Sequence, residues 1–138
     1  MDKTCQGTTF RITRRESASH DGTSATALQV TSQDGKTSDI PKPKEMGDYT
    51  AVGLGCAAAA SNGEPYFIVQ YGELPFGCEF CEWFYLYDAK GTQLTSSTPP
   101  LLTDASLPDS DQQTANTKEY ELMIQKLGIE HPEVEYIK

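Results

Sequence analysis

The chain is 138 residues, with 37 % hydrophobic and 22 % charged side chains, which is one domain's length and enough to bury a core without an obligatory metal or disulfide. Eleven Lys and Arg stand against 20 Asp and Glu, a net charge of −9 that sets the surface against phosphate backbones and anionic lipid, so neither nucleic acid nor membrane is an expected partner. The longest apolar run, Ala51 to Ala60, is too short to cross a bilayer, and Met1 to Cys5 lacks the basic-then-apolar pattern of an export signal. On those grounds the four cysteines read as thiols of a reducing cytoplasm.

Thr8 to Arg15 alternates, with Phe10 and Ile12 on one side, and reads as a half-buried strand. Ser17 to Ser24 is turn chemistry. Ala25 to Thr31 reads as a second strand with Leu28 and Val30 inward, and Asp34-Gly35 turns the chain into a third that ends at Ile40. Pro41-Lys42-Pro43-Lys44 then breaks the ladder, because neither proline can donate a backbone hydrogen bond. It connects two sheet segments.

Residues 51–60 would suit a helix on propensity, and a helix from Asp48 to Ala60 is the alternative. A period of two argues for a strand instead. Val52, Leu54, Cys56 and Ala58 fall on one side, and Ala51, Gly53, Gly55, Ala57 and Ala59 on the other. Asn62-Gly63 predicts a two-residue hairpin loop, which sets Ala58 opposite Phe67, Cys56 opposite Val69 and Leu54 opposite Tyr71. The small residues on the second face leave room for a helix to approach. Glu79 to Asp88 reads as a central strand apolar on both faces, with Cys81, Trp83, Tyr85 and Tyr87 on one and Phe80, Glu82, Phe84 and Leu86 on the other. A turn at Asp88 to Gly91 leads to a short return strand, Thr92 to Thr95.

Residues 96–115 are rich in Ser, Thr, Pro, Asp and Gln and read as a long loop anchored by Leu101 and Leu102. The last element is a helix from Thr117 to Leu127, with Asn116 and Glu119 placed as a capping box and Tyr120, Met123, Ile124 and Leu127 as its buried stripe. Gly128 stands where a left-handed residue ends a helix, with Ile129 supplying the accompanying apolar contact. Residues 133–138 form a terminal strand or tail. The expected fold is therefore α+β, a largely antiparallel sheet with a C-terminal helix packed on one face. It is a single domain in four stretches: N-terminal strands 1–44, central hairpin and aromatic strand 45–95, long loop 96–115, helix and tail 116–138.

Charge is uneven along the chain. Residues 1–44 hold seven basic against five acidic residues, and residues 45–138 hold four against fifteen. Glu73, Glu79 and Glu82 are interleaved with Phe76 and Phe80, the mixture of carboxylates and aromatic anchors that docks a basic partner. Asp104, Asp109 and Asp111 add to the same field if the long loop folds over that edge. Cys78 and Cys81 have metal-ligand spacing, but the remaining candidates (Cys5, Cys56, His20 and His131) form no second close pair, so no metal or other cofactor is expected. Neither histidine carries a catalytic signature, both read as surface residues, and Gly53-Leu54-Gly55 lacks the third glycine of a dinucleotide loop. The expectation is a protein that is not an enzyme.

The passage Cys81-Glu82-Trp83-Phe84-Tyr85-Leu86-Tyr87-Asp88-Ala89-Lys90-Gly91 and the helix ending Lys126-Leu127-Gly128 give the chain the character of a family of bacterial proteins. It resembles the small immunity proteins of polymorphic toxin systems (Rhs, contact-dependent and type VI). What the resemblance implies is a cytoplasmic, non-enzymatic toxin inhibitor that occludes a cognate protein toxin with a basic surface. Two other readings of the residues stand beside it: a small zinc- or thiol-dependent protein built on Cys78 and Cys81, and an adaptor subunit of a larger complex. No signal for an oligomeric state is present.

Overall fold

The structure is a computed structural model that describes residues 1–15, 25–47, 49–73, 82–103, 105–108 and 113–137. Strands β1 (Asp2–Cys5), β2 (Thr8–Arg15), β3 (Ala25–Thr31) and β4 (Thr37–Ile40) pair antiparallel in sequence order as a first sheet. A second antiparallel sheet has the order β10-β5-β6-β7, from β5 (Thr50–Ala58), β6 (Pro65–Gly72), β7 (Trp83–Asp88) and the short β10 (Glu135–Tyr136). The remaining strands, β8 (Leu101–Thr103) and β9 (Gln113–Ala115), pair with each other, and α1 spans Lys118–Leu127. The expected α+β class holds, with 48 % strand and 12 % helix.

The two large sheets pack face to face, which is how two half-apolar sheets both leave water. Phe10 of the first stacks on Phe67 of the second at 3.9 Å between ring centroids. Around that pair Ile12, Leu28, Val30, Leu54, Val69, Trp83, Tyr85 and Tyr87 form one cluster. Helix α1 covers the opposite face of the second sheet, where Tyr120 and Ile129 join Ile68, Leu86 and Ala59 in a second cluster with Phe84, Met123, Ile124 and Leu127 half-buried against it. The layering is sheet, sheet, helix.

The expected strands at 8–15 and 25–31 are present, as is the third, which ends at Ile40 and begins at Thr37, and the Asp34-Gly35 turn closes with Gly35 at φ +87° and Gly35 N–H donating to the Ser32 carbonyl at 2.9 Å. The proline-rich connector leads through a short 3-10 turn, Lys44–Met46, from the first sheet to the second. Residues 50–58 form the strand rather than the alternative helix. The hairpin register differs from expectation by two residues: Ala58 faces Pro65, Cys56 faces Phe67 and Leu54 faces Val69. The loop comprises residues 59–64 because it is tied to the helix end. Ala60 and Ser61 N–H donate to the carbonyls of Gly128 and Leu127 at 3.3 and 3.1 Å, satisfying acceptors that a helix C-terminus leaves open. A slip of two preserves the side-chain faces, as period-two geometry requires. Between Ala51 and Gly53 the register shifts, and this bulge turns Ala51 into the inner cluster beside Val52 instead of onto the outer face.

Strand β7 starts at Trp83 and lies at an edge of its sheet rather than at the centre. Residues 92–95 form no strand. Gln93 makes one bridge to Tyr87, while Leu94 N–H donates to the Leu86 carbonyl and the Thr95 hydroxyl accepts from Leu86 N–H. The long loop contains the β8–β9 pair, with Leu101 half-buried against the inner core and Leu102 also half-buried. At the helix start the cap position is Thr117, and no side-chain cap bond is made there. The Asn116 side-chain Oδ1 accepts from Lys118 N–H, and Glu119 bonds Ser96 instead of returning to the cap. Gly128 does hold the left-handed conformation (φ 70°, ψ 38°), with Ile129 buried behind it.

Candidate functional site

Registered pairs carry neighbouring side chains of one face across a sheet, and one such row crosses the second sheet from β10 to β7: Tyr136, Gly53, Gln70, Phe84. It lies on the outer face. Gly53 has no side chain, and the Tyr136 ring occupies that space; a Cβ at Gly53 would sit 3.3 Å from Tyr136 Cδ1 and 2.6 Å from Val134 Cγ1. Beyond Gly53, Gln70 is only 4 % exposed. Its side chain hydrogen-bonds the Tyr136 phenol, yet Oε1 of Gln70 is the one buried side-chain polar atom among the described residues that has no partner. Tyr136 itself remains 43 % exposed.

Glu82, immediately before β7, and Glu73, immediately after β6, flank the same end of this strand pair, and both are exposed. Burial and the Glu82 charge raise the Tyr136 phenol pKa, against the Gln70 hydrogen bond that lowers it, so Glu82 acts on the same corner of the face. On the other side of the row, Phe84 packs against Tyr120 (5.5 Å) and edge-on to His131 (4.9 Å), and the Tyr120 hydroxyl and His131 Nδ1 are 2.6 Å apart. His131 is exposed, as its setting suggests, and holds the tail against the helix. Of the expected surface, then, the structure describes Glu73 and Glu82, both at the same end of the β6–β7 pair. Phe76, Glu79, Phe80, Asp104, Asp109 and Asp111 lie outside the described residues, as do Cys78, Cys81 and His20.

Two further polar groupings are spent internally. On the inner side, Glu45 accepts from the Tyr85 hydroxyl (2.9 Å) and from Ser97 N–H (3.2 Å), while the Tyr71 and Tyr87 hydroxyls bond each other at 2.8 Å. Burial pushes the Glu45 carboxyl up, but these donors together with its own backbone N–H outweigh it and leave the pKa below the ordinary value. Burial pushes the Tyr87 phenol up to about 12, so it is a neutral hydrogen-bonding group at neutral pH rather than a base. A cleft of about 290 Å³ opens between β3–β4 and the start of β5, bounded by Thr26, Leu28, Asp39, Lys42, Thr50 and Tyr71. There the Thr26 and Thr50 hydroxyls bond each other at 2.8 Å and Asp39 accepts from Gln29, so the polar walls are already engaged.

The cysteines correct the expectation of free thiols at two positions. Cys5 of β1 and Cys56 of β5 form a disulfide across the sandwich, with 6.5 Å between their Cα atoms. No spacing rule in the sequence points to this pair, because β1 itself carries no strand signal and only the stacking of the sheets brings the two residues together. The bond also removes Cys5 and Cys56 as ligands that could complete a zinc site with Cys78 and Cys81. Among the described residues no group of three His, Cys, Asp or Glu side chains is placed to hold a metal, and no helix is long and apolar enough to cross a membrane.

Gln70 and Tyr136 were not among the expected site residues. The one sequence signal was Gln70 as the sole non-aromatic polar side chain inside Tyr66-Phe67-Ile68-Val69-Gln70-Tyr71. No protein-family model, curated protein or solved structure matches the chain.

Proposed function

We propose that this protein is a non-enzymatic inhibitor of the immunity type, which binds a cognate protein toxin and covers its basic surface. The observation that carries the reading is the end of the β6–β7 pair, where exposed Glu73 and Glu82 flank a rigid sheet beside the half-open aromatic Tyr136. Carboxylates set around an aromatic anchor on a preorganised element steer a basic partner and then hold it. The net charge of −9 extends that field over the whole molecule. The test is the double charge reversal Glu73→Lys/Glu82→Lys, measured against the toxin domain encoded beside the gene. Affinity should fall most at low salt, where the field reaches furthest, while the melting temperature stays within a degree or two of the parent's. Equal protection by the reversed protein would place the interface elsewhere.

We also propose an oxidising compartment as the place of action, instead of the cytoplasm. Structural disulfides persist outside the cytosol and are reduced within it, and Cys5–Cys56 joins two strands, half-buried against the core, rather than being displayed on a loop. Alkylation trapping in the native cells measures this directly. Cys5 and Cys56 should resist alkylation until a reductant is added; modification without reductant would return the protein to the cytoplasm.

A further inference from the structure

We infer that the cleft between β3–β4 and the start of β5 is a binding site for a small zwitterion, of the class of an α-amino acid with an aliphatic side chain. Binding there does not depend on the inhibitor reading and stands or falls without it.

The cleft comes from a strand that stops early. β3 pairs with β2 from Ala25 to Thr31, but β4 pairs with β3 only as far as Leu28, which faces Ile40. Pro41 then carries the chain out of the ladder. Residues 25–27 are left without a strand on that side, and a space of about 290 Å³ lies between them and the start of β5. That is near the lower end, about 300 Å³, of the pockets that hold small ligands. An added peptide strand finds its ladder donor taken, because Thr26 N–H donates to the Thr50 hydroxyl at 2.8 Å. The Thr26 hydroxyl donates to the Ala51 carbonyl at 2.6 Å, so the two sheets are tied across the cleft and its width is fixed before anything binds.

Two charges of opposite sign border this space. Asp39 and Lys42 both line it, and both are exposed. Neither neutralises the other: the ion pairs among the described residues are Lys3–Glu135 and Arg11–Asp2. Asp39 instead accepts from the Gln29 amide at 2.9 Å, and Lys42 donates to the Gly47 carbonyl. A neutral partner thus positions each group and leaves its charge unmet. The rest of the lining is largely aliphatic, with Leu28, Ile40, Pro41 and Ala51, and the Thr26 and Thr50 hydroxyls satisfy each other. Recognition is left to charge at the rim and apolar contact within.

A zwitterion meets both. Its ammonium pairs with Asp39, its carboxylate with Lys42, and its aliphatic chain covers the apolar wall. A simple amine would meet Asp39 but be opposed by Lys42. A simple carboxylate would meet Lys42 but be opposed by Asp39, in a molecule whose net charge is already −9. A ligand with separated charges and no net charge avoids both costs.

The experiment uses the whole protein and three probes of one shape: L-leucine, isoamylamine (the same skeleton without the carboxylate) and isocaproate (without the amine). Each is titrated to tens of millimolar at constant ionic strength while the Leu28, Ile40 and Ala51 methyl resonances are followed by NMR. Leucine should give saturable shifts at these methyls with a dissociation constant on the order of 1 mM, as suits charges at an open rim. Each single-charge probe should bind about tenfold more weakly, the effect of one lost charge-assisted contact. Asp39→Asn should weaken leucine about fivefold or more and narrow its advantage over isocaproate. Lys42→Gln, which keeps an amide donor for Gly47, should narrow the advantage over isoamylamine. Both variants should melt with the parent, because both side chains are exposed. No saturation by leucine, binding of either single-charge probe as tight as leucine's, or undiminished leucine binding by both variants would overturn the proposal.

Discussion

On its inner face the second sheet presents Leu54, Phe67, Val69, Tyr85 and Tyr87, all fully buried against the first sheet. Its outer face presents Gly53, Gly55 and Ala57 on β5, then Ile68 and Gln70 on β6, and is covered by α1 and the residues that follow it. The inner face is held by volume: large rings fill a space with no room to spare. The outer face is held by the absence of volume, since glycine at 53 and 55 is what allows Val134, Tyr136, the Pro132 ring and the Glu133 carbonyl to lie directly on the strand. One face therefore reads as stability. The other accepts the chain's own C-terminal segment, which lies directly on its glycines.

Emptying the inner face should do the most damage. Phe67→Ala removes the ring stacked on Phe10 and should cost about 3–5 kcal/mol in chemical denaturation, as aromatic core truncations do. A cost below about 1 kcal/mol would mean that the sheets do not meet there.

Cutting the link between the sheets comes next. The Cys5–Cys56 bond closes a loop with a sequence separation of 51, which in the chain-entropy description restricts the unfolded state by at most about 4 kcal/mol. Cys5→Ser/Cys56→Ser should lose a large part of that, and reduction of the parent should lower its denaturation midpoint to match the variant. If reduction leaves the midpoint unmoved, the sandwich stands on packing alone.

Filling the outer face should cost less and act locally. Gly53→Ala places a methyl 2.6 Å from Val134 Cγ1, and such overpacking costs about 1–3 kcal/mol. The tail should loosen first. The Ile137 amide, which donates to the Val52 carbonyl at 2.9 Å, should exchange hydrogen faster while amides of the Phe67–Tyr87 pairing remain protected. Uniform acceleration would merge the two faces into one cooperative unit.

The smallest effect is expected at the helix end. Gly128 holds φ +70°, and a Cβ there would lie 3.0 Å from that of Ala60. Gly128→Ala should cost about 1–2 kcal/mol, the penalty of a side chain in the left-handed region. A melting temperature equal to the parent's would mean that the helix ends differently in solution.

Local pattern determined a good deal of this molecule. The alternation of Phe10 and Ile12, and of Leu28 and Val30, marked the strands and their buried sides, because a strand's faces are set by a period of two that needs no partner to be read. The Tyr120, Met123, Ile124, Leu127 stripe and Gly128 marked a helix and its end, because both are written within a few turns of chain. Glu73 and Glu82 were legible as exposed carboxylates near aromatics. Only the tertiary structure decided the rest. The helix end pulled the Asn62-Gly63 loop open and moved the register by two; the bulge at Val52 turned Ala51 inward; the aromatic strand was left at an edge. The Cys5–Cys56 bond and the Gln70–Tyr136 contact join residues 51 and 66 positions apart. Contacts of that range depend on how two sheets and a tail stack, and stacking is a property of the summed packing of all three layers, which no local window of sequence contains.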